Sequence, residues 1–298
     1  MEKIRCKAFG KINLTLDVLG KRADGYHEIL TLFQGISLFD EVRLTRANNE
    51  GLVLTCDVPS LSTGSDNLAY QAAQLMQEKF PQIKGLTIEL KKRIPLAAGL
   101  AGGSADAATV IWGLDRLYEL NLAQEELVQL AARLGSDVPF CLYPLTAIGA
   151  GRGERLSFCP PCPELWLVLL KPPFGVSTKE VYSNLSQVKI TRRPRLDQVI
   201  QGLKATNKEM IYASLGNVLE ESTFALYPQL KIWAEEISAL NGVKKVIMAG
   251  SGPTLMAFVD NSQAAKKLTS SLKKPNWSVE VVRTITGEDL VGRMMSDE

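Results

Sequence analysis

The sequence predicts a mixed protein of strands and helices built in two halves. Its 298 residues fit two domains of ~150 residues each, or one large one. A strand-like first third gives way to a helical middle, and the last portion returns to strand, strand, helix, strand, the pattern of a compact α/β sandwich. Between them Cys159-Pro-Pro-Cys162-Pro163 is the best boundary, dividing the chain into 1–160 and 161–298.

The elements follow in order. Ile12, Leu14, Leu16 and Val18 alternate with Asn13, Thr15 and Asp17, so a strand is expected there, with Lys11, Asn13, Thr15 and Asp17 sharing its polar face. Further strands are expected at 41–46, 52–56 and 86–91. Asp66 and Asn67 offer N-cap chemistry for a helix running to about Phe80. A glycine-rich loop at 99–103 opens an apolar helix from Ser104 to about Leu120, and a second helix at 123–134 stops at Gly135, which suits a left-handed cap. Strands at 146–150 and 155–158 lead to the boundary. The second half runs from a strand at 165–171 through several helices to strands at 243–248 and 254–259, a helix at 263–272 and a strand at 278–284.

Composition removes several function classes. A hydrophobic share of 46% with 22% charged residues is that of an ordinary soluble chain, and 34 basic against 32 acidic residues, a net +2, argues against a polybasic nucleic-acid binder. No run approaches the ~18–20 apolar residues that cross a bilayer. The first residues alternate charged and apolar, unlike a secretory signal, so a cytoplasmic location and no membrane contact are expected. Five scattered cysteines do not form a disulfide framework. With His27 the single histidine, the Cys159/Cys162 pair lacks further zinc ligands and reads as a proline-stiffened loop; no protein metal site is expected.

Three segments could cradle a phosphate. In Pro95-Leu-Ala-Ala98-Gly99-Leu100-Ala101-Gly102-Gly103-Ser104-Ala-Asp106 a strand ends at a proline, glycines admit a ligand to the backbone, and a helix start points N–H groups and its dipole at an anion. Lys91, Lys92 and Arg93 could add positive charge nearby. The alternative is a capped helix whose glycines only allow tight packing. No Walker A loop, dinucleotide fingerprint or protein-kinase H-R-D and D-F-G signature is present. The stretch at 149–154 reads as a hairpin turn, and the loop at 249–254 as a turn or an anion nest.

Other polar residues ask for a reason. Lys21-Arg-Ala-Asp-Gly-Tyr26-His27-Glu28 carries an Asp-Gly turn signal that would present a ring beside an imidazole, either as surface packing or as a platform and edge for a nucleobase. Gly135-Ser-Asp137-Val-Pro puts a carboxylate after a helix stop, either an ordinary turn residue or, near a lysine, the acceptor of a proton from an attacking hydroxyl.

Together these residues resemble a family. The segment 95–108 is similar to the phosphate loop of the GHMP small-molecule kinases, which include galactokinase and the homoserine, mevalonate and phosphomevalonate kinases. Lys11-Ile-Asn-Leu, the 21–28 segment, Gly135-Ser-Asp-Val-Pro and Gly250-Ser-Gly-Pro-Thr254 resemble in particular the branch whose acceptor carries a cytidyl group, with the motifs in the same order over essentially the whole chain. The resemblance implies a two-domain α+β fold, an N-terminal domain like ribosomal protein S5 domain 2 and a C-terminal α/β sandwich, with the site in the cleft between them. It implies ATP-dependent phosphorylation of the 2-hydroxyl of a diphosphocytidyl-methylerythritol acceptor, for isoprenoid precursors made without mevalonate. Asp137 would be the catalytic base and Lys11 its electrostatic partner. Pro95, Ala98, Gly99, Leu100, Ala101, Gly102, Gly103 and Ser104 would wrap ATP, with Asp66 and Asn67 near the adenosine. Asn13, Tyr26, His27, Thr178, Gly250, Ser251 and Gly252 would hold the acceptor, His27 and Tyr26 at its cytosine. Magnesium would enter with ATP, Ser104 being the candidate to reach it, and no prosthetic group is implied. Ala249 stands where the family often has a hydroxyl residue. The expected partners are ATP and the acceptor, and the expected assembly a monomer or weak homodimer. A homoserine- or mevalonate-type kinase and a catalytically silent regulator on the same fold are the alternatives. The 21–28 segment speaks against the first, and the presence of both Lys11 and Asp137 against the second.

Overall fold

The computed structural model describes residues 2–272 and 274–295. It starts with a long antiparallel hairpin of β1 (Lys3–Lys21) and β2 (His27–Arg46), in register from Lys21 opposite His27 to Lys3 opposite Thr45. The register shifts between Phe9 and Lys11, between Asn13 and Thr15, and between Val18 and Gly20. Such irregularities re-aim side chains, and here they bracket Lys11 and Asn13. The strand expected at 41–46 is thus the end of a much longer one. Thr31 to Ile36 are all buried, so no alternation of apolar and polar residues marks them as a strand.

β3 (Gly51–Cys56) runs parallel to β4 (Gly85–Lys91), which pairs antiparallel with β2. Helices α1 (Leu68–Lys79), α2 (Gly102–Leu117) and α3 (Gln124–Ala132) contribute apolar residues to a core under this sheet, where Cys6, Val42, Leu86 and Ile88 meet Met76, Val110, Leu114 and Leu130. α4 (Val138–Leu142) and the hairpin β5 (Ala147–Gly151) with β6 (Arg155–Phe158) complete this half, β5 pairing with β2.

Two boundaries differ from expectation. α2 starts at Gly102 instead of Ser104, because Ala101 takes φ 57° and the two glycines are already the first helical turn. α3 stops at Ala132, and Gly135 does not adopt the left-handed cap. Instead Leu134 N donates to Ala131 O and Val138 N to Gly135 O, at 3.0 and 3.3 Å, so the chain turns directly into α4.

The second half holds β7 (Trp166–Lys171), helices α5 (Thr178–Asn184), α6 (Leu196–Lys204) and α7 (Lys208–Ser214), the two-residue β8 (Gly216–Asn217), then α8 (Leu219–Leu226) and α9 (Pro228–Ser238). It ends with β9 (Val243–Met248), β10 (Leu255–Val259), α10 (Ser262–Ser271), β11 (Ser278–Arg283), α11 (Gly287–Val291) and β12 (Met294–Met295). Its four-stranded antiparallel sheet has the order β11-β7-β10-β9. β8 and β12 cross back to pair with β1, and a shared core joins Ile12, Leu14, Leu32 and Ile36 of the first hairpin to Leu167, Leu169, Met256 and Val282 of the second sheet. These crossings fix the cleft walls against each other. Among the described residues no helix is long and apolar enough to cross a membrane.

Candidate active site

A cavity of about 860 Å³ opens between the first hairpin, the start of α2, the turn before α4, α5 and the β9–β10 loop. Lys11, Asn13, Tyr26, His27, Gly99, Ala101, Ser104, Asp137, Thr178, Gly250 and Ser251 all line it. The sequence scatters these residues from 11 to 251; the fold converges them on one space.

Lys11 is 5% exposed, and a buried ammonium needs partners. Its Nζ donates to Asn13 Oδ1 at 3.0 Å, lies 3.4 Å from Asp137 Oδ2 and sits 4.9 Å from the Phe33 ring centroid. Asn13 is oriented in turn, because its Nδ2 donates to Thr31 Oγ1 at 2.7 Å and Thr31 donates to Thr15 O at 2.6 Å. The Asp137 side chain keeps 34% exposure and lines the cavity, so its carboxylate is accessible to a substrate hydroxyl. An accessible carboxylate beside a fixed cation is kept ionised, and in that form it can accept a proton.

The loop before α2 places Ala97, Gly99 and Ala101 at φ 49°, 75° and 57°. Alternating left-handed residues curl successive N–H groups toward one point, an anion nest, and the first N–H groups of α2 lie beside it. Lys11 N donates to Leu100 O at 3.0 Å, which ties this loop to β1. Gly99 also has no room for a side chain, since a Cβ would lie 2.4 Å from Ala249 O. Gly99→Ala should therefore both strain the left-handed turn, by about 1–2 kcal/mol, and pry this loop from the β9–β10 loop. Expected is a loss of kcat/KM of at least about tenfold, read from initial rates.

The basic run before the loop behaves differently from expectation. Lys92 is buried and paired with both Asp40 and Asp106, while Arg93 pairs with Glu41 at 2.8 Å. Asp40 also accepts Ile94 N at 2.8 Å, and Gly102 lies against it. Lys92 and Arg93 are thus committed to the scaffold under the loop, and neither lines the cavity.

At the far end of the cavity, the 22–26 turn is built by its own polar residues. Asp24 accepts Tyr26 N at 3.1 Å, Gly25 takes φ 85°, and Arg22 bridges Asp24 and Glu28. Glu28 also accepts from Gly151 N and Arg155, fastening the turn to the β5–β6 hairpin. Tyr26 is 57% exposed, with the Arg152 guanidinium 4.9 Å from its ring centroid. His27 packs on Tyr182 with centroids 5.0 Å apart. Burial, with Lys21 adding, lowers the His27 pKa below the ordinary 6.5, so the ring is neutral at pH 7 and offers one donor and one acceptor. Burial, with Asp137 adding, pushes the Tyr182 phenol up, so it stays protonated.

The β9–β10 loop closes the opposite wall. Thr178 and Ser251 share a hydroxyl–hydroxyl hydrogen bond of 2.8 Å, and Thr223 donates to Ser251 O at 3.2 Å. Asn217, buried, donates to Met248 O and Gly250 O at 2.9 and 2.7 Å and so holds the loop from behind.

Eight expected residues do not line the cavity. Pro95, Ala98, Leu100 and Gly252 belong to the two loops and Gly102 and Gly103 to the first turn of α2, with Ala98 and Leu100 buried in the shared core. Asn67 caps α1, accepting Ala69 N at 2.9 Å, and Asp66 accepts from Ser62. Cavity residues the sequence did not single out for the site include Lys179, Tyr182, Ser183 and Arg152. A Val-Tyr-Ser stretch in a short helix carries no local signal of chemistry, and Arg152 faces the cavity only because of the hairpin.

Comparisons with known proteins show the family. The GHMP kinases N-terminal domain matches residues 67–144 and the GHMP kinases C-terminal domain residues 196–276. A 4-diphosphocytidyl-2-C-methyl-D-erythritol kinase of Brevibacillus brevis is 40% identical over 96% of this chain and 98% of its own length. One from Moorella thermoacetica is 42% identical over 96% and 100%. The crystal structure of a 4-(cytidine 5'-diphospho)-2C-methyl-D-erythritol kinase superposes with a TM-score of 0.81 at 33% identity, covering 95% of this chain and all of the other. A homoserine kinase from Cytophaga hutchinsonii shares the fold, at 20% identity and a TM-score of 0.71 over 96% of this chain and 95% of its own.

Proposed function

Because this chain belongs to the GHMP kinases, and within them to the 4-diphosphocytidyl-2-C-methyl-D-erythritol kinases, it is an ATP-dependent small-molecule kinase of isoprenoid biosynthesis, and we propose how its residues divide the task. The γ-phosphoryl group of ATP passes to the 2-hydroxyl of the cytidyl acceptor. A phosphorus–oxygen bond forms to that oxygen as the bond to the β-phosphate oxygen breaks, and the hydroxyl proton goes to Asp137. The observation that carries this assignment is the Lys11–Asp137 pair at 3.4 Å, opening on the same cavity as Tyr26 and His27.

Phosphoryl transfer asks mainly for positioning and for stabilised phosphate charge. In our assignment the nest at 97–101 and the first turn of α2 hold the ATP phosphates, and Lys11 offsets negative charge at the transfer point. Magnesium arrives as the MgATP complex; Mg²⁺ binds few protein groups when phosphates supply oxygens. Ser104, which lines the cavity near the start of α2, offers a hydroxyl that would face that complex. Thr178, Ser251 and the Gly250 backbone face the acceptor from the second half.

Tyr26, His27 and Tyr182 form the base end. Flat rings stack on any base, and the unprotonated nitrogen of a neutral imidazole can accept from the amino group on a pyrimidine edge. This end favours a cytidyl acceptor over homoserine or mevalonate, which bring no ring to stack. Protonating His27 removes its acceptor, so KM for the acceptor should rise as pH falls through the histidine's lowered range, with KM for ATP steady. The pH dependence should flatten in His27→Ala; an unchanged acid limb in that variant would remove His27 from recognition. For the reaction itself, ³¹P NMR of the product should show ADP and a new phosphomonoester on the acceptor in equal amounts. ADP formation without that monoester would contradict the assignment.

A further inference from the structure

A buried cation far from the cavity in sequence touches three of the elements that line it or lead into it, β1, α2 and α4. Arg293, next to the short C-terminal strand β12, is 1% exposed. Its Nη1 donates to Leu142 O at 2.7 Å, its Nη2 to Thr109 Oγ1 at 2.7 Å and Cys141 O at 3.4 Å, and its Nε to Lys7 O at 3.2 Å. The Trp112 ring lies 4.8 Å from its guanidinium. No carboxylate is among these partners. Burial lowers the pKa to about 10, which leaves the group charged at neutral pH. A buried charge of this kind is sustained only where several dipoles are aimed at it. Here they are the carbonyls at the end of α4.

That end is the functional one to hold. α4 is a short rigid unit that starts immediately after Asp137, has proline in its first turn, and has Cys141 N donating to Asp137 O at 3.3 Å. Fixing Cys141 O and Leu142 O fixes the helix, and with it the direction of the carboxylate at its other end. The same side chain reaches β1, which carries Lys11, and α2, which starts at the phosphate loop.

We propose that Arg293 is a positioning residue for phosphoryl transfer: by gripping the carbonyl end of α4 it sets where Asp137 presents its carboxylate. The inference rests on Asp137 being the base. A misplacement of about 1 Å in a catalytic group costs about 10²-fold in rate. Arg293→Met, which keeps the stem volume and drops the fork, should lower kcat by about 10- to 100-fold with both KM values within about threefold. Arg293→Lys, which keeps the charge and fewer contacts, should fall between.

The test is a double-mutant cycle with Asp137→Asn, measured under single turnover at a temperature where circular dichroism shows each variant folded. If Arg293 acts through Asp137, adding Arg293→Met to Asp137→Asn should cost less than about threefold further. An equal fold-loss in both backgrounds, or full kcat in Arg293→Met, would overturn the proposal. Should Arg293→Met fail to fold, Arg293→Lys runs the same cycle with the same two readouts. Near-wild-type turnover in Asp137→Asn alone would instead remove the base assignment, so the two failures are told apart.

Discussion

Asp137→Asn lowers kcat by about 10²- to 10⁴-fold, the range general-base catalysis contributes, and leaves ATP affinity unchanged. The variant keeps the side-chain shape and an amide oxygen near Lys11, so the geometry survives; what it loses is the ability to take a proton. Lys11 is not stranded, because Asn13 still accepts from its Nζ at 3.0 Å. The loss should therefore appear in kcat and equally in kcat/KM for the acceptor, the pattern of an interaction made only in the transition state. Titration calorimetry with a non-hydrolysable ATP analogue checks the first half of the claim and steady-state kinetics the second. Near-wild-type kcat would dismiss Asp137 as the base.

The largest stability effect is expected at Lys92. Its ammonium is 3% exposed between the side chains of Asp40 and Asp106, which are 0% and 3% exposed. Removing one partner of a buried ionic cluster leaves uncompensated charge, at a cost of about 3–5 kcal/mol. Lys92→Met should lose that much in chemical denaturation, because the Asp40 carboxylate would then be buried beside Asp106 without a cation. The double variant Lys92→Met with Asp40→Asn should recover much of it. A loss under about 1 kcal/mol in Lys92→Met would mean the cluster is solvated.

Asp106 also gives this cluster a pH signature. Burial pushes its pKa up to about 8 from an ordinary 3.8, with Lys92 pulling it down and Asp40 pushing it up again. One Asp106 oxygen is buried without a hydrogen-bond partner. A raised carboxyl value means the folded state holds the proton more tightly than the unfolded chain. Stability from this group is thus full below about 4 and declines as pH climbs toward about 8. Glu220, pushed up to about 7 by burial, adds a decline of the same sign. Glu41 and Asp289 are held low by Arg5 and Arg283, so their effects are confined to acid. Between pH 6 and 8 the wild type should lose stability more steeply than Asp106→Asn, by on the order of 1 kcal/mol per pH unit. Equal slopes would place the proton elsewhere.

The chemistry was more legible in the sequence than the scaffold that aims it. Glycines before a helix, a Tyr-His pair after Asp-Gly and a lysine in a polar strand face each leave a local trace, and the cavity gathers their side chains. β2 was half hidden because Thr31 to Ile36 are buried on both faces and show no period. The start of α2 shifted because Ala101 takes a conformation that side chains seldom adopt. Lys92 was legible as a charge near a phosphate loop, but only the tertiary fold brings Asp40 and Asp106 to neutralise it. Arg293, Asn217 and Tyr182 act across elements distant in the chain. No spacing rule reaches them.

The central claim is that one cavity couples a phosphate loop and the Lys11–Asp137 pair to a cytidyl-recognising end. ADP release from magnesium-ATP, measured with 4-diphosphocytidyl-2-C-methyl-D-erythritol, homoserine and mevalonate offered separately, tests it most directly. The account predicts turnover with the cytidyl acceptor alone, and a raised acceptor KM in His27→Ala. Turnover with homoserine or mevalonate but not with the cytidyl compound would contradict it.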